Sequence, residues 1–198
     1  LLRNPVRENA KETFAYFHAQ GVTVKVISGD NPVTVSAAAR EAGIEGADRY
    51  VDASTLETYE DIEAACEEYN VFGRVKPNQK KLLIQALQSN KHTVAMTGDG
   101  VNDVLALKEA DCSVAMASGS DVAAQISDLV LMNSDFSSMP SVVAEGRRVI
   151  NNIERAASLY LVKNIFSLFL SIFSIILMVN YPLEPSQISL ISMFTIGI

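Results

Sequence analysis

Met96-Thr97-Gly98-Asp99-Gly100-Val101-Asn102-Asp103 is the stretch on which the reading of this chain turns. It follows a short strand-like run over 93–96 and leads into a helix-forming segment over 104–110. Two carboxylates four residues apart at the end of a strand make a hard oxygen site suited to magnesium. The glycines let backbone approach a phosphate, and the helix that follows points its N-terminus at the anion. Taken alone, the same letters also fit an ordinary Asn/Asp/Gly turn.

Working outward, two further segments carry the same chemistry. Lys80 stands in the first turns of a helical pattern over 77–88, where Pro77 is tolerated. Ser28-Gly29-Asp30 ends a β-branched run over 22–27 and supplies a second hydroxyl-plus-amide phosphate cradle. A hydroxyl, a lysine and an aspartate at one end of one sheet are what a phosphoryl group requires. The ammonium offsets charge on its oxygens, and a metal bridges it to the carboxylate.

The alternation of patterns says that these groups do share one end. Strand-like runs over 22–27, 71–74, 93–96, 113–116 and 129–132 alternate with helical patterns over 7–20, 33–42, 54–69, 77–88, 104–110 and 121–126. Short connections between them predict an α/β fold, a parallel sheet with helices on both faces. Ligands then bind at the carboxyl ends of the strands, where both Gly-Asp turns fall.

The 198 residues carry a net charge of −7, concentrated before Lys163, which argues against a nucleic-acid partner. Cys66 and Cys112 have neither metal-ligand nor secreted-scaffold spacing and read as reduced core thiols. The stretch 165–179 holds no charged residue. With its flanks it is long enough to span a bilayer as one helix over 159–181. Arg147, Arg148, Arg155 and Lys163 precede it, which places that side in the cytoplasm. Residues 180–185 read as an external turn, and 186–198 as the start of a second span. The chain opens at Leu1 and stops inside an apolar run, so both ends read as cuts in a longer, multi-pass protein of the cell membrane. The expected organisation is a domain over 1–140, a connecting helix over 141–158, a span over 159–181 and a truncated span over 186–198.

Val26-Ile27-Ser28-Gly29-Asp30-Asn31, Gly73-Arg74-Val75-Lys76-Pro77-Asn78-Gln79-Lys80 and Met96 to Asp103 resemble successive signatures of the P-type cation-transporting ATPases. These pumps belong to the haloacid-dehalogenase-like superfamily, whose phosphorylation domain is Rossmann-like. The likeness continues through Ser127-Asp128-Leu129-Val130-Leu131 and Glu145-Gly146-Arg147-Arg148, and covers almost the whole chain in the family's order. It implies an ATP-driven pump working through an aspartyl-phosphate, with magnesium and ATP as cofactors and a transported cation, calcium being the leading choice. It implies that Ser28, Gly29, Lys80 and Gly98 hold phosphate and that Asp30 and Arg74 help hold the nucleotide. Asp99 matches the magnesium ligand, with Asn102 and Asp103 arranging metal, phosphate and water; Asp103 is a second candidate ligand. Asn164, Ser167, Ser192 and Thr195 are candidates for the ion path in the lipid bilayer.

Departures from the pattern are specific. Ser28 replaces the usual threonine, Asn4 an acidic residue before Pro5, and Val104-Leu105 the frequent Ala-Pro; Ile196 stands where an aspartate is expected. The Asp-Lys-Thr-Gly acceptor and the nucleotide-binding and actuator domains are absent and are expected before Leu1, so the chain by itself is expected to be inactive; the remaining membrane segments of the parent pump are missing too. The other readings are a soluble phosphatase or phosphotransferase of the same superfamily and a non-catalytic binding piece.

Overall fold

The computed structural model describes residues 6–178, 180–184, 186, 187, 189 and 190. They divide into two compact units, Leu1–Pro140 and Ser141–Ile198. The first is an α/β unit with six parallel strands. In chain order it runs α1 (Ala10–Ala19), β1 (Val26–Ile27), α2 (Pro32–Glu41), β2 (Tyr50–Asp52), α3 (Tyr59–Glu68), β3 (Val71–Gly73), α4 (Pro77–Ser89), β4 (Ala95–Gly98), α5 (Val104–Glu109), β5 (Cys112–Met116), α6 (Asp121–Ile126) and β6 (Leu129–Leu131).

The strands form two three-stranded sheets, ordered β1-β3-β2 and β4-β5-β6, every pairing parallel. In β3 neighbouring side chains point to opposite faces. Val71 packs with Val35, Ala39 and Ile44 from the α2 side. Phe72 packs with Ile62, Leu83 and Ile84 of α3 and α4. Helices therefore cover both faces of this sheet, as the alternating pattern predicts. The Phe72 cluster also takes in Met96, Leu107 and Ala115, so one apolar core joins the two sheets. Cys66 lies in that core at 1% exposure, and burial pushes its thiol up to about 11. It is a packing thiol, and it remains unpaired with Cys112.

Local chemistry explains where elements begin and end. Gly21 follows α1 with φ +75° and Gly43 follows α2 with φ +80°, the left-handed stops that glycine supplies. The helix expected over 54–69 is in fact two pieces. Asp52 accepts from the Ser54 amide and hydroxyl, which curls Ala53–Thr55 into a 3₁₀ turn. Thr58 and Asp61 then form a reciprocal capping box that starts α3 afresh. The strand expected over 22–27 shrinks to Val26–Ile27, the residues that find partners on β3. Strand β2 is not predicted by the sequence at all: three residues between a loop and an acidic helix give no period to read.

In the second unit the connecting helix expected over 141–158 and the span expected over 159–181 are one element, α7 (Met139–Ile176). It ends five residues short of Tyr181. Among the described residues α7 supplies the one helix long and apolar enough to cross a membrane. Apart from Leu170, which is half-buried, its large apolar side chains from Leu159 to Ile176 are exposed. Of the expected second span only residues 186, 187, 189 and 190 are described; Ser192, Thr195 and Ile196 lie outside the described residues, as do Asn4 and Pro5.

At the junction of β5 and β6, the buried Ser113 donates both its amide and its hydroxyl to Asp128 at 2.8 Å. Its hydroxyl accepts the Asp128 amide at 3.0 Å. The backbone and side-chain bonds from Ser113 hold the Asp128 carboxyl below the usual range, against an opposing push from burial. A lowered folded-state pKa adds stability above the unfolded value of about 3.9 and loses it as pH falls through the folded value. Ser113→Ala should therefore lower the urea midpoint at pH 7, and the gap from the unaltered chain should narrow below about pH 4. Urea titrations at both pH values check this; a gap that is constant with pH refutes the linkage.

Candidate functional site

A cavity of about 390 Å³ opens at the carboxyl ends of β1 and β4. Ser28, Lys80, Thr97, Asp99 and Asp103 give it polar walls, Gly29 and Gly98 bare backbone, and Ile27, Met96 and Met116 an apolar floor. Residues from three distant parts of the chain thus meet where a parallel sheet presents ligands. A second concavity, about 330 Å³, is lined by Asn9, Glu12, Thr13, Tyr16, Ser137 and Pro140, with no cationic side chain.

Each polar group is held by a traceable local cause. The Ser28 amide donates to Phe72 O at 2.9 Å and the Ser28 carbonyl accepts from Val75 at 3.0 Å, so β3 sets its height. Its hydroxyl accepts from the Asp30 amide at 3.1 Å and donates to the Asp30 carboxylate at 3.3 Å. Lys80 sits in α4, whose start is fixed when the Lys76 amide donates to Gln79 Oε1 at 3.0 Å and Gln79 Nε2 donates to Ala53 O at 2.8 Å. Lys80 Nζ donates to Asp103 Oδ1 at 2.6 Å, with the two side chains only 13% and 11% exposed. The other Asp103 oxygen accepts from the Gly100 amide at 3.2 Å. A Cβ on Gly98 would stand 2.7 Å from Asp103 Cβ, so this glycine is what lets the carboxylate fold back under the strand end.

Asp99 is the contrast. It is exposed, and among the described residues its carboxylate has no hydrogen-bonding or ionic partner. A free carboxylate at a cavity mouth fits a hard cation that takes one or two carboxylates and completes its shell with water and phosphate. The described residues hold no group of three His, Cys, Asp or Glu that would form an all-protein cage. Asp103, expected as a possible second ligand, accepts one bond on each oxygen, from Lys80 and from the Gly100 amide.

Three expected residues do not line the cavity. Asn102 is exposed on the 3₁₀ turn Val101–Asp103. Asp30 reaches the cavity only through the Ser28 hydroxyl. Arg74 takes a left-handed backbone, φ 53°, and gives its guanidinium to Asp52 at 2.7 Å. The sequence reading passed over Asp52 and the Gly119-Ser120 pair. The Gly-Ser pair at the end of a strand was the signal that could have found the latter. In the second unit Ser167 shares a 3.1 Å hydrogen bond with the Tyr181 hydroxyl. Ser171 and Ser174 bond back to the carbonyls of Ser167 and Leu170, each at 2.9 Å, and Asn164 is exposed.

A family model described as haloacid dehalogenase-like hydrolase matches residues 1–111. The chain belongs to that family. It is 48% identical over 98% of its length to the probable cation-transporting ATPase exp7 of Streptococcus pneumoniae. It is 47% identical over its whole length to the calcium-transporting ATPase CtpE of Mycobacterium bovis. It spans about a quarter of those relatives, 26% in each case. A zinc-transporting PIB-type ATPase solved in an E2.Pi state shares the fold, with a TM-score of 0.68 over 90% of this chain and 25% of that one, at 24% identity. The haloacid-dehalogenase-like member described here therefore has cation-transporting ATPases as relatives, and its parallel α/β architecture is theirs.

The Lys80–Asp103 pair is open to a direct test. Removing one partner of a shielded ion pair leaves the other charge stranded, a loss of about 3 to 5 kcal/mol. Asp103→Ala should lose stability on that scale in urea unfolding, and Lys80→Met on the Asp103→Ala background should recover part of it. Strictly additive losses would mean that the two charges do not support each other.

Proposed function

We propose that this chain is the latter part of the phosphorylation domain of an ATP-driven cation pump, continuing into the membrane. The observation that carries this reading is the meeting of Ser28, Lys80 and Asp99 around one cavity. In the intact pump ATP phosphorylates an aspartate that lies outside this chain. β1 and β4 are each the edge of their sheet and both border the cavity. A parallel strand received between them would deliver a carboxylate from its carboxyl end to these three side chains.

The roles follow from the chemistry of the groups. The Ser28 hydroxyl and the Gly29 and Gly98 backbone hold phosphoryl oxygens, and the Lys80 ammonium, kept in place by Asp103, offsets their charge. Asp99 holds magnesium, which when bound supplies further charge neutralisation at the phosphoryl oxygens. Asp30 and Arg74, beside the cavity, serve the nucleotide, and Asn102 orders water at its rim. The domain covers 1–140; a linking part over 141–158 and a membrane part from 159, both on α7, join it to the bilayer, with a further span from 186. The basic residues before the span keep the domain in the cytoplasm. The cargo is a cation, calcium by the name of the CtpE relative. Asn164 and Ser167 are the described candidates for its path, with Ser192 and Thr195 beyond. Ser171 and Ser174, bonded back to the helix, serve packing.

In the full-length parent, Asp99→Asn and Lys80→Ala should each lower calcium-dependent ATP hydrolysis by about 100-fold or more. Phosphate release from membrane vesicles at saturating ATP reads this out. A rate unchanged in either variant refutes the assignment.

A further inference from the structure

The turn between β5 and α6 satisfies every one of its own amides. Ala117 donates to Leu131 O at 3.1 Å, Ser118 to Ser134 Oγ at 2.8 Å and Gly119 to Met116 O at 3.0 Å. The fourth amide, Ser120, leaves the turn and donates to Asp99 O at 2.7 Å. The first three bonds fasten the turn to β5, to β6 and to the segment after β6, and sliding it would leave those donors unpaired. Ser134, the acceptor for Ser118, keeps a left-handed backbone with φ 50°, uncommon for a residue with a side chain and sustained here by its contacts.

Gly119 brings the turn and Asp99 together. A Cβ on it would lie 2.9 Å from Asp99 Cα and 3.0 Å from its carbonyl carbon, and closer still to the carbonyl oxygen. These are main-chain atoms and cannot rotate out of the way. Gly119 does not have a left-handed φ, so glycine is required here by space and not by conformation. Neither Gly119 nor Ser120 lines the cavity, so neither is placed to touch phosphate or metal.

We propose that the Gly119-Ser120 turn is the positioning element of Asp99. It clamps the Asp99 peptide, fixes the direction of its Cα–Cβ bond, and so aims a carboxylate that no side chain holds. The inference rests on Asp99 being the magnesium ligand, and it explains how an exposed, unpartnered side chain is pre-organised for one.

Ser120 offers a clean test because its φ of −73° suits proline. Ser120→Pro removes the amide donor, whereas Ser120→Ala keeps it. Both lose the hydroxyl that caps α6 at the Val122 amide, 3.3 Å away. The 198-residue chain in detergent micelles, labelled with ¹⁵N-glycine, is titrated with magnesium chloride while the Gly98 and Gly100 amides are followed. Ser120→Pro should weaken magnesium binding about tenfold or more, and Ser120→Ala by no more than about twofold. Gly119→Ala should match the proline variant. Equal affinities in the proline and alanine variants overturn the proposal. If Asp99→Asn titrates like the unaltered chain, the magnesium reading of Asp99 fails by itself. The clamp is then judged by the Asp99 carbonyl ¹³C shift, which Ser120→Pro must move and Ser120→Ala must not. Should the variants fail to fold, amide exchange in the unaltered chain decides: the Ser120 amide must be protected, and rapid exchange overturns the clamp.

Discussion

The 2.6 Å contact between Lys80 and Asp103 holds the site together. It joins the first turns of α4 to the turn after β4, two parts of the chain separated by a strand and most of a helix. The two side chains are shielded from water, so their attraction is little screened and their geometry is constrained by hydrogen bonds on both sides. Gln79 anchors the helix that carries the lysine, and the Gly100 amide holds the second oxygen of the carboxylate. The ammonium of Lys80 is thereby held at one end of the sheets.

Around that pair the site is built largely from backbone. Ser28 is set by strand-like bonds to Phe72 and Val75, Gly98 yields its side-chain space to Asp103, and the Asp99 peptide lies against Gly119. Of the two carboxylates that line the cavity, Asp103 is engaged and Asp99 has no hydrogen-bonding or ionic partner among the described residues. The carboxylates divide in two: some spend lone pairs on amides, hydroxyls and ammonium groups, and others leave them free. Asp52, Asp128 and Asp103 are of the first kind.

The two units solve different problems. In the first, apolar residues of helices and strands bury one another, and even polar Ser113 finds its complement in Asp128. In the second, most apolar side chains of α7 from Leu159 on are exposed, and Ser171 and Ser174 turn back on their own helix. An apolar exterior with an internally satisfied backbone is the arrangement that hydrocarbon favours and water does not.

Much was legible in the letters. Parallel α/β character follows from alternating periods, and the polar groups of the site follow from Ser28-Gly29, Lys80 and Gly98-Asp99 standing at strand ends or in the helix that follows one. Those are local signals, since period and turn chemistry belong to neighbours in sequence. Three features were decided only by tertiary structure. Strand β2 exists because β3 offers it an edge, not because Tyr50–Asp52 insists on extension. Asp103 meets Lys80 because α4 passes within reach of it. Gly119 is glycine because Asp99, twenty residues earlier, needs the space. Each depends on atoms brought together by folding across long loops, and no window of sequence contains both partners.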